Sequence, residues 1–307
     1  MLNTTISQSI NLRHLLILYY PLILVIIGTI FNFFTFIILC QSTFRNTKIR
    51  PTLHYMRTIA IFDIFMLYGW NLDHYLDSIH HGFTLQHYSV LFCKFFSFLN
   101  YFSAQVSAWL RVFICLDRYI SLSQLHTSWL NKSKNILLII AGIIISSTLV
   151  NLHFLIFACY INIDGSVNHN ARLYRIYPLW DYVNLGLYNC LPFILMMIFN
   201  SGVLYHLIRL HQTVKLSNVR IQHRSITITL VITTFLFLIM TTPATICYAF
   251  FYKTTNYLTL YSVDSILYTY HILSFPLYLL TFGEFRRTVF RYFNPYFWHR
   301  IQTTTWT

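Results

Sequence analysis

Long apolar stretches separated by short charged ones set the pattern of this chain. Counted between charged residues, Arg13 to Arg45 leaves 31 uncharged positions, Lys134 to Asp164 leaves 29 and Asp181 to Arg209 leaves 27. Arg224 to Lys253 leaves 28, and Asp264 to Glu284 leaves 19. A helix of about 20 mainly apolar residues crosses the ~30 Å hydrocarbon layer of a bilayer, so each of these five stretches is predicted to span. Two further segments are apolar with charge inside them. Leu53 to Tyr75 holds Arg57 near one end and Asp63 within, and Phe95 to Leu116 holds Arg111. An ionised group at the centre of a membrane helix costs at least ~2.5–3.5 kcal/mol, so such residues face the bundle interior and take partners there. The pattern predicts an all-α membrane protein with a short outer segment 1–14, a seven-transmembrane helix bundle over 15–283 and a tail 284–307. In the tail, Phe285, Val289, Tyr292 and Phe293 share one helical face while Arg286, Arg287 and Arg291 point elsewhere. This predicts an amphipathic helix lying in the inner membrane interface and ended by Pro295.

Composition agrees with a lipid-facing surface. Hydrophobic residues make up 56% of the chain and charged residues 9%, against about 25% charged in ordinary soluble domains. The net charge is +13, but the basic residues lie between the apolar runs and build no basic face, which argues against nucleic acid as a partner. Of 21 Lys and Arg, 15 fall on the side of the first inter-helix loop, five on the other and Arg111 within a span. An excess of Lys and Arg marks the cytoplasmic side. The N-terminus is therefore expected outside and the C-terminus inside, as in a multi-pass plasma-membrane protein. Asp73, Asp77, Asp164, Asp181 and Asp264 then lie outside, and Asn3-Thr4-Thr5 is a candidate outer glycosylation site. Asn131-Lys132-Ser133 matches the same pattern but falls in the cytosol.

The chemistry-bearing residues favour no catalyst. Six cysteines form no CxxC pair, and no HExxH or repeated histidine box is present. His74, His80, His81 and His87 gather near the first outer loop without a recognised zinc spacing, and they are read as solvated loop side chains. No metal, cofactor or enzymatic activity is expected. Arg111 lies one turn below Ser107, so both can share a helix face.

Leu116-Asp117-Arg118-Tyr119 closes the third span at its cytoplasmic end. It resembles the Asp-Arg-Tyr motif of rhodopsin-like G-protein-coupled receptors, and its position on the third span of seven gives the match weight. Gly28 with Asn32 in the first span, Asp63 in the second, Ser107 in the third, Pro192 in the fifth and Pro243 in the sixth also resemble family positions. Ser274-Phe275-Pro276-Leu277-Tyr278 looks like an altered Asn-Pro-x-x-Tyr motif, with serine for asparagine and the proline displaced by one. The resemblance runs from about residue 15 to 293. Tyr188-Asn189-Cys190-Leu191-Pro192-Phe193 and Thr241-Thr242-Pro243 look most like invertebrate FMRFamide-type peptide receptors.

The resemblance implies a bistable bundle that binds an extracellular ligand, a peptide by preference, and activates heterotrimeric G proteins. Asp117, Arg118, Tyr119 and Tyr278 would form the inner switch, with Arg118 held by Asp117 at rest. Asn32, Asp63, Ser107, Arg111 and Ser274 would form an intramembrane polar network in which an Arg111–Asp63 pair takes the place of a bound sodium ion. Pro192, Pro243 and Pro276 would kink their helices. Cys93, 25 residues before Arg118, would join the second outer loop through a disulfide, with Cys159 as its partner. Asn100, Asp181 and Tyr268 would line the ligand cavity. Asn100 stands where amine receptors carry aspartate and Tyr268 where opsins carry their retinal lysine, which argues against monoamines and retinal. The outer acids favour a cationic ligand.

Departures from the family are concrete. The fourth span has no tryptophan, Thr241 stands for tryptophan, Asn200 for tyrosine and His223 for an acid. A divergent receptor-like protein with little signalling is the alternative, and a small-solute transporter another, although no internal repeat supports transport. An epitope appended after Thr307 is expected to be stained only once cells are permeabilised; staining of intact cells would overturn the orientation.

Overall fold

A computed structural model describes the backbone of residues 2–41, 44, 52–80, 84–123, 133–213 and 218–293. Side chains are described within these ranges from residue 18 onward, except 80, 210–227 and 257. Asn3, His80, His81, Asn131, His223 and the tail from 294, Pro295 included, lie outside the described side chains.

The chain is mostly helical. Helix α1 (Leu2–Cys40) starts at the second residue, so the outer segment expected at 1–14 continues the first helix. Next come α2 (Thr52–His80), the single turn α3 (Leu85–Tyr88) and α4 (Val90–Leu122). Helix α5 (Ser133–Ile156) leads into an antiparallel hairpin of β1 (Ala158–Ile161) and β2 (Val167–Ala171). Helix α6 (Leu179–Asn184) runs through a π-helical stretch, Leu185–Cys190, into α7 (Leu191–Thr213). Helix α8 (Asn218–Ile246) likewise ends in a π-helical stretch, Cys247–Phe251. Helices α9 (Tyr257–Tyr270), α10 (Ser274–Thr281) and α11 (Gly283–Phe293) complete the described chain.

Among the described residues, four helical segments are long and apolar enough to cross a membrane: Leu18–Cys40, Ser133–Ile156, Leu179–Arg209 and Ile228–Phe251. Their outward faces are apolar as well as their inward ones. On α5, Ile136, Ile140 and Ile143 are buried while Leu137, Leu138, Ile145 and Leu149 are exposed. Apolar surface of that extent on a helix packed by one side alone suits an acyl-chain environment rather than water. The other expected spans are helical too, in α2, α4 and α9–α10, but their composition differs. Helices α2 and α4 carry polar side chains inward, with Asp63, Gln105 and Arg111 all buried. The last is broken in two.

That break corrects one expectation. Residues 271–273 form a turn between α9 and α10, and Pro276 falls in the first turn of α10. An N–H there has no helical acceptor to lose, so Pro276 starts a helix rather than kinking one. Pro192 and Pro243 do sit at irregularities. The first immediately follows one π-helical stretch and the second precedes the other by a turn. Each lacks the N–H that would close the ladder to the residue four before it. Pro21 lies inside α1 as well.

Helix α4 is the hub, packing against α2, α5, α7, the hairpin and the first π-helical stretch. The hairpin crosses its N-terminal end, and a Cys93–Cys159 disulfide fixes it there, with Cα atoms 6.1 Å apart. Cys159 has φ 59°, beside the register irregularity between Ala158 and Tyr160. At the other end, α11 buries Phe285, Thr288 and Val289 and exposes Arg286, Arg287 and Arg291. Tyr292 and Phe293 are exposed, so the apolar face expected there divides into an inward half and an outward half.

The bridge closes a chain segment of 66 residues. Cys159→Ser is therefore expected to lower stability by ~2–4 kcal/mol, read as a drop in the thermal midpoint that reductant reproduces in the unmutated protein.

Candidate functional site

Asn100, Ser107, Arg111 and Arg118 recur on α4 at intervals of seven, four and seven. That spacing places them along one face, and all four are buried. Three polar layers follow along this stripe.

The middle layer centres on Asp63, a fully buried carboxylate on α2. Arg111 Nη2 reaches Asp63 Oδ2 at 2.7 Å. Ser107 donates to Asp63 Oδ1 at 2.5 Å and itself accepts from Arg111 Nη1. His271 Nδ1 donates to Asp63 Oδ1 at 2.7 Å, since a carboxylate can only accept. The other ring nitrogen of His271 faces Tyr188 Oη at 3.4 Å. Arg111 also lies over the Tyr270 ring, 4.9 Å from its centroid. The Asp63–Arg111 pair neutralises itself, and its remaining hydrogen-bonding capacity is largely filled by side chains from three elements. Asn32 reaches this layer indirectly, donating to the His271 carbonyl at 3.0 Å. Ser274 stands 3.5 Å from Asp63 Oδ2, at the limit of a hydrogen bond.

The layer at the C-terminal end of α4 joins Asp117 and Arg118 to Thr52 on α2. Thr52 donates to Asp117 Oδ2 at 2.6 Å and accepts from Arg118 Nη2. One hydroxyl thus links both charged residues to the start of α2. Tyr119 lies outside this cluster and packs on α7, stacked with Phe199 at 6.2 Å. Gly202 makes this contact possible, because a Cβ there would come 2.5 Å from the Tyr119 ring. Tyr278 is buried near α11, 5.6 Å from the Phe285 ring.

The layer toward the N-terminal end of α4 is a small cavity lined by Asn100, Tyr101, Asp181, Tyr248, Asp264 and Tyr268. Tyr268 donates to Asn100 Oδ1 at 3.1 Å, Tyr101 to Asp181 at 3.3 Å and Tyr248 to Asp264 at 2.5 Å. Gly69 lets α2 approach here, since a Cβ would meet Asn100 Oδ1 at 2.9 Å. Trp70 and Tyr248 also line a wider, open cleft of about 500 Å³ that holds Asp73, Asp77, His87 and His169. A volume of this order is ordinary for a ligand site, and four carboxylates line the cavity and cleft together.

The structure brings together Asp63, Ser107, Arg111, Asn32 and Ser274 in one network, and Asn100, Asp181 and Tyr268 around one cavity. Tyr278 packs instead against Phe285. Several participants escaped the sequence reading. Thr52 carried no signal at all. His271, a histidine inside the uncharged run 265–283, was visible as an oddity. Tyr101, Tyr248 and Asp264 become cavity residues only when α4, α8 and α9 converge. Two departures also find a physical use. Asn189 donates to Thr241 at 2.7 Å and accepts from Thr242 at 2.9 Å, and Asn200 donates to Thr234 at 2.7 Å. Threonine hydroxyls of α8 thus tie it to α7 and to the π-helical stretch before α7.

A comparison with protein-family models matches none of them, and one with curated proteins finds no significant relative.

Arg111→Met leaves Asp63 as a buried carboxylate without its cation and is expected to cost ~3–5 kcal/mol. The double variant Arg111→Met/Asp63→Leu removes both charges and is expected to recover most of that loss. Thermal unfolding in detergent distinguishes the two. Equal destabilisation by the single and the double change would show that the pair is not coupled.

Proposed function

We propose that the chain is a seven-helix membrane receptor that binds an extracellular cationic peptide and activates a heterotrimeric G protein. The observation that carries this reading is the polar stripe of α4. It runs from an acid-lined outer cavity, through the Asp63–Arg111 pair, to Asp117 and Arg118 at the far end of the same helix. Ligand binding at one end can bias an equilibrium at the other only through an element with two arrangements. In this reading the stripe is that element, and the support for it is that α2, α4 and the α9–α10 break share its hydrogen bonds. Four outer carboxylates support a ligand rich in Lys or Arg, and the open cleft supports a peptide rather than a small amine.

In this reading α2, α4 and α9–α10 join the four strongly apolar segments as spans, with their polar residues turned inward. Helix α11 lies along the inner leaflet. The resting state holds Arg118 through Thr52 and Asp117, and activation releases it toward the G protein. The Arg111 guanidinium serves as a tethered cation where receptors of the resembled family hold sodium. The low-signalling alternative draws on the same pair, which staples α2 to α4, and on the altered 274–278 motif.

Cells expressing the chain with promiscuous G proteins, screened with cationic peptides, provide the test. Arg118→Ala is expected to abolish agonist-driven nucleotide exchange at unchanged surface expression. Thr52→Val, which removes the hydroxyl linking Asp117 and Arg118, is expected to raise basal exchange. Unaltered signalling in Arg118→Ala would overturn the switch, and a chain silent to every peptide would favour the low-signalling alternative.

A further inference from the structure

His87, on the short helix α3, and His169, on strand β2, lie 82 residues apart in sequence. Their Nε2 atoms are 3.1 Å apart. The rings meet nearly edge to face, with centroids at 4.8 Å and planes at 84°. Each ring turns its other nitrogen toward the protein. His87 Nδ1 lies 2.5 Å from Thr84 Oγ1, and His169 Nδ1 lies 3.3 Å from Cys93 Sγ. With protons on both Nδ1 atoms, the tautomer that metal binding requires, two Nε2 lone pairs face each other across 3.1 Å and can share one cation; in the other tautomer of either ring its Nε2–H donates to the second ring.

We propose that His87 and His169 bind a divalent transition-metal ion, zinc by preference, at the rim of the outer cleft. Two imidazole nitrogens held about 2.0–2.1 Å from a tetrahedral zinc ion lie ~3.3 Å apart, close to the observed separation. The outward Nδ1 contacts are those that orient metal-bound histidines and fix their tautomer. The sulfurs beside His169 are not competing ligands, because Cys93 and Cys159 are joined to each other. The same cleft also holds a carboxylate. Asp73, which lines the same cleft, is 8% exposed, and its Oδ2 has no hydrogen-bond partner among the described residues. Its Oδ1 accepts from the Leu85 backbone at 2.8 Å, which holds α3 and so His87 beside this carboxylate. The cleft leaves the remaining coordination positions open to water or to a donor atom of an incoming ligand. Bound metal would tie the hairpin, already fixed by the disulfide on one side, to α3 on the other.

The full-length protein in detergent is titrated with Zn²⁺ alone, by calorimetry and by competition with a chromogenic chelator. One ion per chain is expected, with affinity at least ~10-fold weaker in His87→Gln and in His169→Gln, since even supporting contacts of a metal histidine are worth that much. His87 is exposed, so His87→Gln should fold even where His169→Gln does not. Zn²⁺ should also slow hydrogen exchange of Val167–Ala171 in the unmutated protein and not in His87→Gln. Absence of Zn²⁺ binding, or equal affinity in His87→Gln, overturns the proposal and leaves a proton as the shared cation.

Discussion

A carboxylate buried away from the protein surface must find compensation among the side chains around it. Asp63 is that group here, and much of the arrangement follows from it. Its partners come from α4, in Arg111 and Ser107, and from the turn between α9 and α10, in His271. Two elements distant in sequence from α2 are therefore bound to one of its side chains. An isolated charge in such surroundings is prohibitive; a paired and hydrogen-bonded one holds helices in register at little net cost. The stapling does not by itself add much stability. It selects one packing of α2 against α4 over the alternatives that greasy helices would otherwise tolerate.

The same logic repeats at smaller scale along the bundle. Asn200 with Thr234, and Asn189 with Thr241 and Thr242, tie α7 and the preceding π-helical stretch to α8. Gln105 links Asn151 on α5 to Asn184 on α6 through hydrogen bonds of 2.7 and 3.1 Å. Helices with apolar faces on all sides gain little from burying those faces against each other rather than against lipid. Polar contacts and close backbone approaches then decide which faces meet. Gly69 and Gly202 supply such approaches, one under Asn100 and the other under Tyr119.

The hairpin end of the molecule is built differently. There the hairpin, the disulfide and the short helix α3 form a rim around a cleft whose walls carry acids and histidines. Burial and the neighbouring charge of His87 hold the His169 pKa down at about 4, so its ring is neutral at pH 7. This end is shaped by loops fixed by covalent and polar ties, whereas the opposite end is formed by the ends of regular helices.

The sequence by itself determined that the chain is helical and membrane-suited, because runs of 19 to 31 uncharged residues are read from composition and length alone. It also marked Asp63 and Arg111 as charges needing a partner, because charge in an apolar run is conspicuous. It could not say that His271 completes their network, that Thr52 joins Asp117 to Arg118, or that His87 faces His169. Those pairings link positions from 65 to 208 residues apart, and no local periodicity encodes them. The break at 271–273 was equally hidden, since Pro276 reads as a kink until the helix is seen to begin beside it. Element type follows from neighbours along the chain; which polar groups satisfy one another follows only from how the helices rotate and slide when packed.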